Sequence, residues 1–593
     1  MSTAILTGPP VATSPIEGDL RNLGFEVVTA EDAASLAARL HALPATERVA
    51  VVDPRFVGHL HALRLGLTDP RFDASAVAGA VSVLPAARPA LVRALAQTGE
   101  GGEGDTVADR LAARMEKDGV PVHRPDLGVL VATVPADAAG RANAGAAVAA
   151  VDDEAVRLRS AVKSRDGFFT TFLISPYSRY IARWCARRGL TPNQVTTASL
   201  LVALVAAGCA ATGTRPGFVA AGVLLLASFV LDCTDGQLAR YSLRYSTLGA
   251  WLDATFDRAK EYAYYAGLAL GAARGGDDVW ALALGAMVLQ TCRHVVDFAF
   301  AETARDAGAG AGTGAGALSQ RLDHVGWTVW LRRMIVLPIG ERWALIAVLT
   351  AATTPRITFT VLIAASALAA CYTTAGRLLR SVRGRMAGGD TAARALADLS
   401  DTGPLGEGLT RLFRGRGVPA AAVLGAAVMI TTSLLAPAGS WWPFAAACCY
   451  AVTSALAVAR PLKGALDWLV PPVFRAAEYV TVLALAAVSD VNGALPAAFG
   501  LVAAVAYHHY DTVYRIRGGT GAPPRALVRA TGGHEGRVLL VSAGAAALAG
   551  TTGFTVVLTV LAVVLAVVVL TESIGFWVSS QAPAVHDETG GPA

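Results

Sequence analysis

The chain is 593 residues long, 54% hydrophobic and only 16% charged, with a net charge of +5 and a mean hydropathy of +0.48. Soluble proteins of this size carry about 25% charged residues, so the composition excludes an ordinary soluble enzyme. The small net charge offers nothing to a nucleic acid, and none is expected as a partner.

Runs of about 17–22 largely uncharged residues recur from Thr196 onward, long enough to cross a ~30 Å hydrocarbon core as helices. The expected fold is therefore mainly α: a polytopic membrane protein with a soluble α/β domain at its N-terminus. The seven cysteines (Cys185, Cys209, Cys233, Cys292, Cys371, Cys448 and Cys449) have neither metal-ligand nor disulfide spacing. They read as small buried hydrophobes.

Residues 1–165 alternate strand-like and helix-like patterns. "TAILTG", "GFEVVTA", "RVAVVDPRF" and "LGVLVATV" read as strands and "EDAASLAARLHAL" as a helix, which predicts an α/β layer with a mostly parallel sheet. The start "MSTAILTGPPVATSPIEGDL" lacks the basic and apolar regions of a signal peptide, so this block is expected to stay cytoplasmic. "TGEGGEGDT" reads as an exposed loop.

In residues 166–385, "FFTTFLISPYSRYIARWCARRG" mixes aromatics with a basic face, as an interfacial helix does. Six spans are expected near 196–212, 216–233, 249–271, 278–300, 341–354 and 357–377. The loop 301–340 carries Arg305, Arg321, Arg332 and Arg333, and the exit of the sixth span carries Arg377, Arg380, Arg383 and Arg385. The opposite loops hold one arginine each: Arg215, Arg274 and Arg356. The positive-inside rule then puts the N-terminus inside, at the plasma membrane.

A polar linker is expected at 386–417. Six further apolar stretches follow near 418–436, 441–459, 475–489, 493–510, 537–550 and 553–575, before a tail, 576–593, that reads as disordered. In this block Arg475 and Glu478 have the spacing of a helical ion pair. "YHHYDTVYRIR" reads as an interfacial belt of aromatic and basic residues, and His534 and Glu535 as loop residues. The sequence offers no chemistry for 418–575, an accessory membrane domain.

The stretch "LDCTDGQLARYSLRYSTLGAWLDATFDR" carries the chemistry. Asp232 and Asp235, at i and i+3, share one helical face, continued by Gly236, Ala239 and Arg240. Gly249, Asp253 and Asp257 form a second stripe at i, i+4, i+8. Antiparallel helices joined by a short turn can bring the stripes face to face, so four carboxylates converge at the membrane's inner edge. They could be plain helix-end acids paired with Arg240, Arg244 and Arg258, but two coherent stripes with two glycines fit hard divalent cations better. Two Mg²⁺ ions, or Mn²⁺, would clamp a pyrophosphate during an in-line displacement. Arg240 supplies a forked phosphate donor. Asp257 is the candidate general base and a fourth metal ligand.

The run Asp232, Asp235, Gly236, Ala239, Arg240, Gly249, Asp253, Asp257 resembles the signature of the CDP-alcohol phosphotransferase family, with every fixed position present. The resemblance covers about 166–385. It implies a six-helix core, two metal ions with Asp257 as base, and attack of an acceptor hydroxyl on the β-phosphorus of a CDP-alcohol such as CDP-diacylglycerol. CMP is released, and members are usually homodimers. It also implies donor binding by Asn193, Gln194, Val195 and Thr196 of "TPNQVT", by Gly236, Ala239, Arg240 and Gly249, and by Ser246. "LDATFDR" is similar to the actinobacterial phosphatidylinositol phosphate synthases, which implies a basic acceptor pocket; Arg293, Arg377 and Arg380 are its candidates.

Residues 1–165 also resemble, distantly, the cytidylyltransferase domain of archaeal bifunctional enzymes, whose donor is soluble. The loop "TGPPVATSP" lacks the basic residue that holds a triphosphate, and Asp53 reads as a turn residue. The domain is expected to be catalytically inactive, with a binding or scaffolding role. The competing reading is a transporter or lipid-binding membrane protein, in which the aspartates line an ion pathway.

Overall fold

In β1 (Ser2–Thr7) the four central residues are buried, the continuous apolar run of a strand covered on both faces. This computed structural model describes residues 2–580 apart from 10, 12–13, 98–104, 164–165, 307–335, 385 and 414. The chain divides into two units. The first holds 1–164, 176–192 and 234–246; the second holds 165–175, 193–233 and 247–593.

The first unit is built on strands β1, β2 (Glu26–Ala30), β3 (Arg48–Val52), β4 (Val57–Gly58), β5 (Ala74–Val77), β6 (Ala80–Val83) and β7 (Ala132–Thr133). Its main sheet has the order β2-β1-β3-β6-β5. β1 pairs in parallel with β2 and β3, whereas β3–β6 and β5–β6 are antiparallel. The expected mostly parallel sheet is thus mixed. The cause is a tight hairpin at Ala78-Gly79, where Gly79 has φ +73°, a backbone state that glycine adopts without strain. "LGVLVATV" yields only β7, paired with β4 apart from the main sheet. Its Val134 packs where a Gly79 side chain would stand. Helices α1 (Ile16–Asn22), α2 (Ala33–Ala42), α3 (Leu60–Leu67), α4 (Arg88–Gln97), α5 (Val107–Lys117), α6 (Ala138–Ala149) and α7 (Asp153–Ser160) complete the α/β part. Asp53 caps its own turn: its carboxylate accepts from Arg55 N and pairs with the Arg55 guanidinium, both at 2.8 Å.

The six spans expected in 166–385 are helices, several longer than the apolar runs. After a π-helical turn (Thr170–Ile174) come α8 (Ser175–Arg187), α9 (Pro192–Ala211), α10 (Arg215–Ser242), α11 (Thr247–Arg274), α12 (Trp280–Asp306), α13 (Ile339–Ala352) and α14 (Pro355–Arg383). Arg321, Arg332, Arg333 and Arg385, and most of the stretch "TGEGGEGDT", lie outside the described residues. The stretch expected as a linker is largely helical: α15 (Asp390–Leu399) buries Ala392, Ala395, Leu396 and Leu399, and α16 (Pro404–Leu412) buries Gly406. Then follow α17 (Ala420–Leu435), α18 (Trp442–Ala457), α19 (Val470–Val488), α20 (Ala494–Arg517), α21 (Arg525–Ala530), α22 (Gly533–Ala547) and α23 (Thr552–Ser579). By length and composition five helices among the described residues can cross a membrane: 192–211, 215–242, 355–383, 467–488 and 552–579. Cys185 is buried, but Cys371, Cys448 and Cys449 are exposed on helix surfaces rather than buried as expected.

One hydrophobic cluster joins Tyr264, Leu268 and Met287 with Tyr479, Val505 and Phe554, so the C-terminal helices share a core with the helices before them. Charges are buried there too. Asp401 receives the guanidinium groups of Arg475 (2.9 Å) and Arg537 (2.7 Å), with His508 at 3.3 Å. Glu478 takes the same two arginines, at 2.7 and 2.5 Å. The expected Arg475–Glu478 pair is therefore part of a larger cluster. The stretch read as an interfacial belt is instead internal: His508, His509 and Asp511 are buried, as are His534 and Glu535. The last two lie in the first turn of α22, not in a loop. The physical reason is pairing: Asp511 accepts from Ser573 (2.7 Å) and Trp577 (2.6 Å) of α23, and such bonds offset the cost of burial.

Two stability predictions follow from these buried groups. Asp401→Ala strands two buried guanidinium groups and should destabilise the membrane unit by about 3–5 kcal/mol, read as a fall in the thermal melting of full-length protein in detergent. In the first unit, both ring nitrogens of His61 are buried without a partner among the described residues. Desolvation, then the nearby Arg157, Arg64 and His59, lower its pKa to about 4. The unfolded chain binds that proton near pH 6.5 and the folded chain does not. Stability is therefore complete above pH ~6.5 and falls by up to roughly 3 kcal/mol as pH drops toward ~4. Hydrogen exchange of α3 between pH 4.5 and 7 should show this, and His61→Leu should flatten it.

Candidate active site

The two stripes seen in the sequence sit on α10 and α11, joined by the short connection 243–246. Because α10 continues as one helix to Ser242, Asp232, Asp235, Gly236, Ala239 and Arg240 keep the i, i+3, i+4, i+7, i+8 relation that places them on one face. One carboxylate oxygen each of Asp232, Asp235 and Asp253 lies within 4.8 Å of the other two. An all-carboxylate set of this size suits a hard divalent cation, so the residues present fit the expected metal.

Asp257 lies outside that triplet. Its Oδ1 is 3.1 Å from the Nζ of Lys260, and the same ammonium pairs with Asp232 and lies 3.1 Å from Ser199 Oγ. Ser199 in turn donates to the carbonyl of Ser228 at 2.8 Å. Lys260 is 1% exposed; a buried ammonium demands such partners. Sequence reasoning passed over Lys260, although its position is legible: Asp253, Asp257 and Lys260 run i, i+4, i+7 along one face of α11.

The residues of "TPNQVT" form the start of α9, with Asn193 and Gln194 in the first turn and Val195 and Thr196 buried behind them. The Arg240 guanidinium lies beside Gly236, where a Cβ would stand 3.5 Å from Nη2 and 3.6 Å from Nη1. Ser246 precedes α11, and Gly249 is in its first turn.

Among the acceptor candidates, Arg293 is buried on α12. Its Nη2 donates to the Val336 carbonyl, while Nη1 is buried without a partner among the described residues. Arg377 pairs with Asp297, and Arg377 and Arg380 both lie against the ring of Phe300, at 5.6 and 5.1 Å. The structure adds three residues that the sequence did not single out for binding. Arg258 and Arg342 share Glu261 Oε2, at 2.8 and 3.2 Å, and all three are buried. Nε of Arg342 is another buried donor without a partner among the described residues. Arg258 thus pairs with Glu261, so the view of it as a plain partner for the motif aspartates is not needed.

Fold and site together define a mainly α-helical membrane protein with a carboxylate cluster that could hold a divalent cation. Residues 189–377 match the family CDP-alcohol phosphatidyltransferase. Residues 390–593 match a family of unknown function, DUF5941. The chain is 35% identical over 131 residues to a phosphatidylinositol phosphate synthase of Streptomyces avermitilis, covering 21% of this chain and 51% of that protein. It is 32% identical over 114 residues (19% and 26%) to a bifunctional IPC transferase and DIPP synthase of Aquifex aeolicus. It is 31% identical over 113 residues (19% and 58%) to an archaetidylinositol phosphate synthase of Pyrococcus horikoshii. The chain thus spans between about a quarter and just over half of the length of these relatives.

Replacing Lys260 by Met leaves Asp232 and Asp257 without their shared cation. Lys260→Met should lower the melting temperature in EDTA, and added Mg²⁺ should restore more of it than in the unsubstituted protein. Thermal scans with and without the ion check this.

Proposed function

We propose that the protein transfers a phosphatidyl or similar phospho-alcohol group from a CDP-alcohol to a hydroxyl acceptor at the cytoplasmic face of the membrane. The observation that carries this reading is the convergence of Asp232, Asp235 and Asp253 oxygens within 4.8 Å in a domain of the matched family. Asp257 takes the proton of the acceptor hydroxyl as the oxygen–phosphorus bond forms, and the bond from phosphorus to the CMP oxygen breaks. Divalent ions held by the aspartates would supply charge neutralisation at the diphosphate. Arg240, with the start of α9, orients the donor.

The acceptor is proposed to carry a phosphate, of the inositol phosphate or glycerol phosphate kind. Buried Arg293 and Arg342 each keep an N–H donor without a partner among the described residues, and guanidinium donors match phosphate oxygens. The names of the matched relatives point the same way.

The test is CMP release by purified protein given CDP-diacylglycerol, Mg²⁺ and a panel of acceptors, read by mass spectrometry. Asp257→Asn should cut turnover roughly 10²–10⁴-fold in protein that still folds and inserts. Arg293→Gln should raise KM for a phosphorylated acceptor about tenfold and leave a neutral polyol unaffected. Full turnover in Asp257→Asn removes it as base. Solute uptake by reconstituted vesicles without CMP from any donor points instead to a transporter.

A further inference from the structure

The last turns of α10 and the connection that follows, residues 234–246, belong to the first unit together with 1–164 and 176–192. Within that unit α7 closes on two consecutive α10 residues. Asp152 caps α7 by accepting from Glu154 N and Ala155 N, both at 3.1 Å. Glu154 Oε1 accepts the Tyr241 hydroxyl at 2.7 Å. The Arg157 guanidinium stacks 3.6 Å from the centre of the Tyr241 ring, and its Nε donates to the Tyr241 carbonyl at 2.9 Å. Leu158 and Ala161 complete a small apolar seat around Tyr241. One residue earlier, Arg240 donates Nε to the Ala161 carbonyl at 2.6 Å. On the same helix end, Ser178 of α8 donates to Gln237 at 2.8 Å.

These bonds do more than attach a domain. An apolar seat around Tyr241 would fasten α7 in any rotation of the Arg240 side chain. The bond from Nε to a backbone carbonyl selects one, because a guanidinium is planar and its five N–H groups are fixed relative to one another. With Nε engaged, Nη1 and Nη2 lie on the side of Gly236, at 3.6 and 3.5 Å from where a Cβ would stand. That is the face that carries Asp235 and Asp232 one and two turns back.

We propose that the N-terminal unit is a positioning element for the CDP donor: Glu154 and Arg157 hold Tyr241, and the Ala161 carbonyl holds Arg240, so that its fork is preset for the donor's diphosphate. The inference rests on the phosphotransferase reading of 189–377 and assigns a task to a unit expected to be catalytically inactive. Glu154 and Arg157 touch no reacting atom. Their effect passes through Tyr241 and Arg240, so it falls on donor binding rather than on the chemical step.

The test uses full-length protein in nanodiscs, with CDP-diacylglycerol as donor, and measures CMP affinity by calorimetry. Arg157→Ala is expected to raise KM for the donor about tenfold, the order of one lost charge-assisted hydrogen bond. CMP affinity should weaken by a similar factor, while kcat stays within about twofold and acceptor KM is unchanged. Arg157→Lys, which keeps the cation over the ring, should recover part of the loss. Glu154→Gln is the milder second variant if Arg157→Ala does not fold. Unchanged donor KM and CMP affinity in folded variants overturn the inference alone, as does a loss confined to thermal stability and kcat. Wild-type protein that neither releases nor binds CMP overturns the phosphotransferase reading, and this inference with it.

Discussion

Four carboxylates on two helices of a membrane protein set the constraint on which the membrane unit depends. An ionised side chain inside a bilayer costs roughly 2.5–3.5 kcal/mol on insertion scales, and like charges a few ångströms apart add repulsion. The fold answers with geometry. Asp232, Asp235 and Asp253 converge within 4.8 Å, which makes them unfavourable alone and favourable around a cation. Asp257 is handled differently: Lys260 supplies a permanent positive charge shared with Asp232. One pair of helices thus holds both a place for a bound cation and a covalently attached one. The division suits a proposed base that must stay ionised yet free of the ligand cluster.

The same constraint shapes the C-terminal helices. Asp401, Glu478, Arg475 and Arg537 are at most 5% exposed and alternate in sign, so each charge meets two of the opposite kind. Replacing such a cluster by apolar residues is often neutral for stability, so its presence fixes arrangement more than it strengthens the fold. It ties the turn after α15 to α19 and α22. A stretch that looks like a polar linker therefore becomes an internal seam, and the C-terminal helices and the helices before them share one core.

How much of this the sequence discloses depends on the range of the interaction. The membrane helices were legible because each is its own apolar run, and the aspartate stripes because helical periodicity is local. The β5–β6 hairpin was not: its strands are four residues each of Ala, Ser and Val, too short for an alternation to stand out, and only Gly79 marks the turn. His508, His509, Asp511, His534 and Glu535 look like surface residues in any local window. Partners of His508, Asp511, His534 and Glu535 lie far along the chain, at Asp401, at Ser573 and Trp577, at Tyr450 and at Gly406. Lys260 fell between these cases. It continues a legible stripe, but a lone lysine in an apolar span reads as an interruption until Asp232 is placed beside it.

The proposed acceptor pocket shows why long-range pairing also limits what a motif can name. Arg258, Glu261 and Arg342 come from α11 and α13, and Arg293 from α12, so no single stretch displays them together. Their pairing is uneven. One carboxylate, Glu261, serves two buried guanidinium groups, while Nη1 of Arg293 and Nε of Arg342 keep donors without partners among the described residues. An unmade hydrogen bond at a buried polar group costs about 1–3 kcal/mol, more where the group is charged. A neutral polyol could accept such bonds but would leave the positive charge uncompensated. A phosphate accepts them and cancels the charge, so the imbalance among these residues favours a phosphorylated acceptor over a neutral one.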